Sequence, residues 1–183
     1  SMTFETPMLF SIGFIFLFVI GGFSGVICAI VPIDIQVQET YYVIAHFHYV
    51  LVSGALFAIF GAVYYWLPKW SGRMYDENLG KWHFWLSMFF FNLTFFVQHF
   101  LGLAGMPRRV PDYALQFADF NMVSSIGGFG FGLTQLFFLY IVIKCIRSGE
   151  KAADKPWEGG TTLEWTLPSP APYHSFETPP VIK

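Results

Sequence analysis

The sequence predicts an all-α polytopic membrane protein, with four helices that cross a bilayer and an extended polar tail behind them. Composition is the first observation behind this. Of 183 residues, 55% are hydrophobic and only 12% charged, and the mean hydropathy is +0.52, well outside the range of an ordinary soluble domain. Four uninterrupted apolar runs are the second, each long enough for the ~20 helical residues that span a hydrocarbon core. The third is where charge falls: the ten Lys and Arg residues lie almost entirely outside those runs. Formal net charge is −2, and no basic patch suggests a nucleic-acid partner.

The runs are read in order as helices over 7–31, 41–67, 82–103 and 120–146. In lipid every backbone polar group needs a partner within its own segment, which leaves helices as the natural assignment. Gly21-Gly22 and Gly127-Gly128 suit close helix contact, and 23 Phe residues suit interlocked aromatic packing. The connectors 32–40, 68–81 and 104–118 carry Pro32, Pro68, Ser71-Gly72, Pro107 and Pro111 as punctuation. Residues 148–183 are polar and rich in Pro and Trp, so they are expected to lean on the membrane part rather than fold alone. Cys28 and Cys145 are far apart in the chain and read as small buried hydrophobes, not a disulfide. No basic residue precedes the first run, so no targeting segment is expected.

Orientation follows from the basic residues. Lys69, Arg73, Lys81, Lys144, Arg147, Lys151, Lys155 and Lys183 all belong to one side, which should be the cytoplasm or matrix, with both termini there. Arg108 and Arg109 are on the outer side and need a local explanation.

Ionisable side chains inside a membrane helix usually face a cofactor, water or protein interior. His46 and His48 sit within the second run. With ~100° per residue, positions i and i+2 point about 200° apart, so the pair cannot chelate one metal. It can serve two flat cofactors on opposite faces, with Phe47 between them. The same spacing also fits two histidines that each hydrogen-bond a neighbouring helix.

The run Thr40-Tyr41-Tyr42-Val43-Ile44-Ala45-His46-Phe47-His48-Tyr49-Val50 is followed by Gln98-His99-Phe100-Leu101-Gly102 and by Gly105-Met106-Pro107-Arg108-Arg109. With Thr162-Leu163-Glu164-Trp165 and Pro172-Tyr173-His174 in the tail, this series resembles subunit I of the haem-copper oxidases over essentially the whole chain. The resemblance implies the last third of a twelve-helix fold. It also implies that His46 is the axial ligand of the high-spin haem that binds oxygen, and His48 one axial ligand of the low-spin haem. Both haems would be of the A type. Arg108 and Arg109 become partners for haem propionates, expected to be largely buried; two solvated loop charges are the bland alternative. Asp34 resembles a family carboxylate near the propionates, although a simple loop acid fits as well. Where the family commonly has His-Asp as magnesium ligands, this chain has Gln38-Glu39, so the magnesium site either survives in altered form or is vacant. His83, His99 and His174 are read as structural.

The function implied is reduction of oxygen to water with electrons from cytochrome c, coupled to proton pumping in a mitochondrial inner or bacterial plasma membrane. By the same resemblance the copper ligands and the second low-spin haem ligand lie on earlier helices, brought by an amino-terminal part of subunit I. Subunit II, subunit III and cytochrome c acting through subunit II are the other implied partners, with membrane lipid around them. Two arrangements fit: a naturally divided subunit I, which is the expectation here, or a portion of a continuous one. A quinol oxidase shares this region, a nitric oxide reductase fits the tail less well, and a haem-free structural subunit is the non-enzymatic reading.

Overall fold

The computed structural model describes residues 2–180, so Lys183 lies outside the described residues. Helix α1 (Thr6–Ala29) starts with Pro7 in its first turn, where a missing N–H is harmless. A short helix α2 (Val31–Val37) follows at once, with Pro32 again in the first turn. This corrects the expectation of an irregular connector over 32–40, because Pro32 begins a helix there instead of ending one. Asp34 accordingly lies on a helix and not in a loop.

The second span is one continuous helical rod, Tyr41–Ser71. It consists of α3 (Tyr41–Leu51), a π-helical turn (Val52–Phe57) and α4 (Ala58–Ser71). Pro68 is tolerated in its last turn, and the rod ends at Gly72, whose φ of 68° only glycine adopts without strain. Helix α5 (Glu77–Leu103) begins five residues before the apolar run does. Asp76 caps it, accepting from the N–H groups of Asn78 at 3.1 Å and Leu79 at 3.3 Å. Helix α6 is Ala118–Ser148.

Four helices are thus long and apolar enough to cross a membrane. α3 lies between α1 and α5, and α6 packs along α5. The shared core is aromatic: the Phe10 ring is 5.6 Å from Phe57, 5.4 Å from Phe60 and 5.2 Å from Phe84 between centroids. Only one glycine of each expected pair sits in a helix contact. A Cβ on Gly21 would meet Val50 Cγ2 at 2.9 Å and one on Gly127 would meet Thr94 N at 2.5 Å, whereas Gly22 has open space and Gly128 reaches only Thr94 Cγ2 at 3.9 Å.

At the end where α4 stops, the tail wraps the membrane part. Strands β1 (Arg73–Met74) and β2 (Glu150–Lys151) pair antiparallel. Trp157 donates its indole N–H to the Tyr65 carbonyl at 2.9 Å, and Trp165 donates to the Tyr65 hydroxyl at 2.7 Å. Lys69 is buried, and its ammonium donates to the carbonyls of Asp154 at 2.9 Å and Leu167 at 2.6 Å. It also lies 5.0 Å from the Trp165 ring centroid. Both cysteines are free thiols.

Candidate functional site

At the opposite end from the tail, the start of α3 is pinned against the end of α5. Thr40 caps α3, its hydroxyl oxygen accepting from Tyr42 N–H at 3.2 Å. Gly102 permits the approach: a Cβ there would lie 2.0 Å from Tyr42 N. This crossing sets the rotation of α3 and therefore the direction of its two histidines.

His46 faces α1. Its Nδ1 is 3.0 Å from the Gly21 carbonyl oxygen and 3.1 Å from Ser24 Oγ, and the Ser24 hydroxyl itself donates to the Gly21 carbonyl. Gly25 leaves room for the ring, since a Cβ at that position would meet His46 Cε1 at 2.7 Å. His48 turns to the other side of α3. Its Nδ1 is 2.8 Å from the Ile44 carbonyl oxygen, and its ring stacks on Phe95 of α5 at 4.2 Å and 15°. The ring of Phe47 lies 4.5 Å from it.

The tautomers follow from the acceptors. A carbonyl only accepts, so in both histidines Nδ1 carries the proton and Nε2 keeps its lone pair. Neither Nε2 takes a hydrogen bond among the described residues. An imidazole oriented through Nδ1–H with Nε2 available is the arrangement of a metal-ligating histidine. Among the described residues no three His, Cys, Asp or Glu side chains converge on one point. Single separated histidines therefore do not fit a bare metal ion, and they do fit haem iron, which needs only axial ligands from protein.

The α2–α3 turn pairs with the α5–α6 connector. Tyr41 N–H donates to the Met106 carbonyl at 3.0 Å, and Arg108 N–H to the Glu39 carbonyl at 2.9 Å. Glu39 at φ 60° and Arg109 at φ 62° occupy left-handed backbone. The Arg108 fork grips the Glu39 carboxylate, Nε to Oε2 at 2.9 Å and Nη2 to Oε1 at 2.5 Å. Hydrogen bonding by Arg108 holds the Glu39 carboxyl below its ordinary pKa, opposed by its desolvation and aided by the charges of Arg108 and Arg109. Arg109 reaches only 3.9 Å from Oε2, with its side chain 76% exposed. Within this chain the Arg108 side chain is 19% exposed, whereas Arg109 projects outward from its left-handed backbone.

The Glu39 carboxylate is committed to arginine: both its oxygens are taken by Arg108, Arg109 Nη1 lies 3.9 Å from Oε2, and Gln38 is exposed. Asp34 is partly buried on α2 and forms no ion pair with Arg108 or Arg109 among the described residues.

Several buried polar contacts went unread in the sequence. Tyr49 donates its hydroxyl to Asn92 Oδ1 at 2.6 Å, joining α3 to α5. Thr6 donates its backbone N–H to Glu77 Oε1 at 2.7 Å. His83 is completely buried with Nδ1 3.0 Å from the Tyr64 hydroxyl, and His99 is buried edge-on to Tyr42 at 5.1 Å. A polar residue inside an apolar run was the available signal for Tyr49 and Asn92.

The family described as Cytochrome C and Quinol oxidase polypeptide I matches residues 1–130. The chain is 49% identical over 186 residues to a putative cytochrome c oxidase subunit 1-beta of Streptomyces avermitilis, an alignment that takes in 100% of this chain and 33% of that protein. A probable cytochrome c oxidase subunit 1-beta of Nocardia farcinica is also 49% identical, over 100% of this chain and 32% of the relative. Cytochrome c oxidase subunit 1 of Cereibacter sphaeroides is 48% identical over 98% of this chain and 32% of its own length. The chain thus spans about a third of the length of the curated relatives it matches. A heme-copper terminal oxidase dimer solved by cryo-EM superposes with a TM-score of 0.70 at 21% identity, over 79% of this chain and 27% of that one, which shows a shared fold.

Proposed function

The chain belongs to the cytochrome c and quinol oxidase polypeptide I family, and from that premise we propose that it forms part of the catalytic subunit of a cytochrome c oxidase. In this reading the complete enzyme reduces oxygen to water with electrons from cytochrome c and pumps protons. It does so with the rest of subunit I, with subunit II and with subunit III, in a bacterial plasma or mitochondrial inner membrane. The tail end faces the cytoplasm or matrix, by the distribution of Lys and Arg.

His46 would ligate the high-spin haem and His48 the low-spin haem, both of the A type, with Arg108, Arg109 and Asp34 as candidate partners for propionates. Bound haem supplies the redox chemistry and the oxygen-binding iron; copper would be held by histidines outside this chain. What this chain's residues do is hold and orient. Gly21 and Ser24 fix the His46 ring through Nδ1, Ile44 fixes His48, and Phe95 stacked on His48 keeps water from that ring. One observation carries the reading: two imidazoles point away from opposite faces of one helix, each proton-locked at Nδ1 and each with Nε2 unbonded.

The test is optical. In the purified complex, His48→Ala should remove the low-spin haem signal while high-spin haem remains, and His46→Ala should abolish carbon monoxide binding. Loss of one and the same haem in both variants would refute the assignment.

A further inference from the structure

We infer that Glu39 is a positioning residue for the haem-propionate arginines, acting as the counter-charge that holds Arg108, and that the Gln38–Glu39 turn takes no divalent cation. The first half rests on the haem reading above; the second does not.

Hard cations such as magnesium bind through several oxygen donors that must be free to turn toward the ion. Here the only anionic donor in the turn has both oxygens engaged, by Arg108 Nε at 2.9 Å and Nη2 at 2.5 Å. Arg109 Nη1 adds a second positive charge 3.9 Å from Oε2. A dication would have to displace a bidentate guanidinium, among the stronger carboxylate pairings, and then sit beside two like charges.

The backbone points to a purpose other than stability. Glu39 and Arg109 are both non-glycine residues at positive φ, a conformation that disfavours any Cβ and that clusters at functional sites. A partly exposed ion pair contributes little to folding by itself, so it does not explain two strained residues facing one another. The strain is held by the backbone pairings of Arg108 with Glu39 and of Tyr41 with Met106. Their effect is geometric. Arg108 is pulled against the α2–α3 turn through Nε and Nη2, which leaves Nη1 and the whole Arg109 guanidinium to meet another anion. Their effect is also electrostatic, since two arginines and one glutamate present a net charge of +1 instead of +2.

A positive charge near a haem favours the electron-rich ferrous state. Removing the Glu39 charge should therefore raise the haem midpoint potential, and removing the Arg108 charge should lower it. Glu39 and Arg108 should also fail to act independently, because each sets the position of the other.

Two measurements on the purified oxidase complex test this. Cells grown with excess manganese should yield a complex without a stoichiometric, tightly bound Mn(II) signal by electron paramagnetic resonance; such a signal, lost in Glu39→Gln, would overturn the cation half. Redox titration of the low-spin haem should show an upward shift for Glu39→Gln and a downward shift for Arg108→Gln. Glu39→Asp should stay nearer to the wild type, and the double variant should depart from the sum of the single shifts. An unchanged midpoint in Glu39→Gln, with the haem spectrum intact, would overturn the positioning half. A wild-type complex with no haem in its reduced-minus-oxidised spectrum refutes the haem reading and the positioning role with it, and the manganese measurement still decides the cation half.

Discussion

Replacing Gly25 by alanine puts the His46 assignment under direct strain. The added Cβ would lie 2.7 Å from Cε1 of the imidazole, against the 3.4 Å at which ordinary contact begins. The ring must retreat from α1 by about 0.7 Å, and both partners of its Nδ1 lie on α1. Retreat stretches contacts of 3.0 Å and 3.1 Å toward ~3.7 Å, beyond hydrogen-bonding range. The single Nδ1 proton is shared between these two acceptors, so its loss costs about 1 kcal/mol, and overpacking adds ~1–3 kcal/mol if the helices cannot part. A total near 3 kcal/mol corresponds to about a hundredfold loss of the ligating ring position. Gly22→Ala is the control, because a Cβ there meets nothing within 4 Å. The assay is the carbon monoxide difference spectrum of the complex, normalised to low-spin haem. Gly25→Ala should lose most of the carbon monoxide signal and keep the low-spin spectrum, while Gly22→Ala matches the wild type. Equal behaviour of the two alanine variants would refute the reasoning.

Asp76→Ala should remove the α5 cap and lower thermal stability by about 1 kcal/mol. Leu79 N–H first, then Lys144 and Asn78, hold the Asp76 carboxyl below its ordinary pKa. A depressed carboxylate stabilises above its unfolded pKa and stops doing so as pH falls through the folded one, so the difference between wild type and variant should begin to shrink at about pH 4 and disappear only below the depressed folded value. Lys69→Met should free the tail, because its carbonyl partners at Asp154 and Leu167 lose a charged donor. Limited proteolysis between residues 155 and 168 should accelerate about tenfold or more, and an unchanged rate would contradict the clamp. Tyr49→Phe should weaken the α3–α5 contact by about 1 kcal/mol through loss of the Asn92 bond, seen as a lower melting temperature of the complex.

The four spans were legible because apolar length is a coarse signal that tertiary packing does not overturn. The opposed histidines were legible for an equally simple reason: the turn of a helix per residue is fixed. Boundaries were harder where one residue serves two grammars. Pro32 was read as a break and opens α2, and Pro68 was read as a stop yet sits three residues inside α4. Asp76 is a cap signal in plain view, but hydropathy places the helix start at the first apolar residue. Among the glycine pairs, composition could not distinguish Gly21 from Gly22, because only the neighbouring helix decides which one is crowded. The grip of Arg108 on Glu39 was beyond reach for a different reason. The residues are 69 positions apart, and their meeting depends on left-handed backbone at Glu39 and Arg109, where no glycine advertises it.

The π-helical turn Val52–Phe57 separates the two ends of the second span in phase as well as in distance. A π turn holds one residue more than an α turn at nearly the same height, so everything beyond it is set back by about 100° around the axis from its place in an uninterrupted α-helix. The face that carries His46 and His48 is thereby uncoupled from the face that presents Tyr64 to His83 and Lys69 to the tail. Winding Val52–Phe57 as α-helix with its sequence unchanged, the histidines staying in register with α1 and α5, would remove that offset. It would swing the lower half like a turned key, and Tyr64 and Lys69 would then point away from their partners.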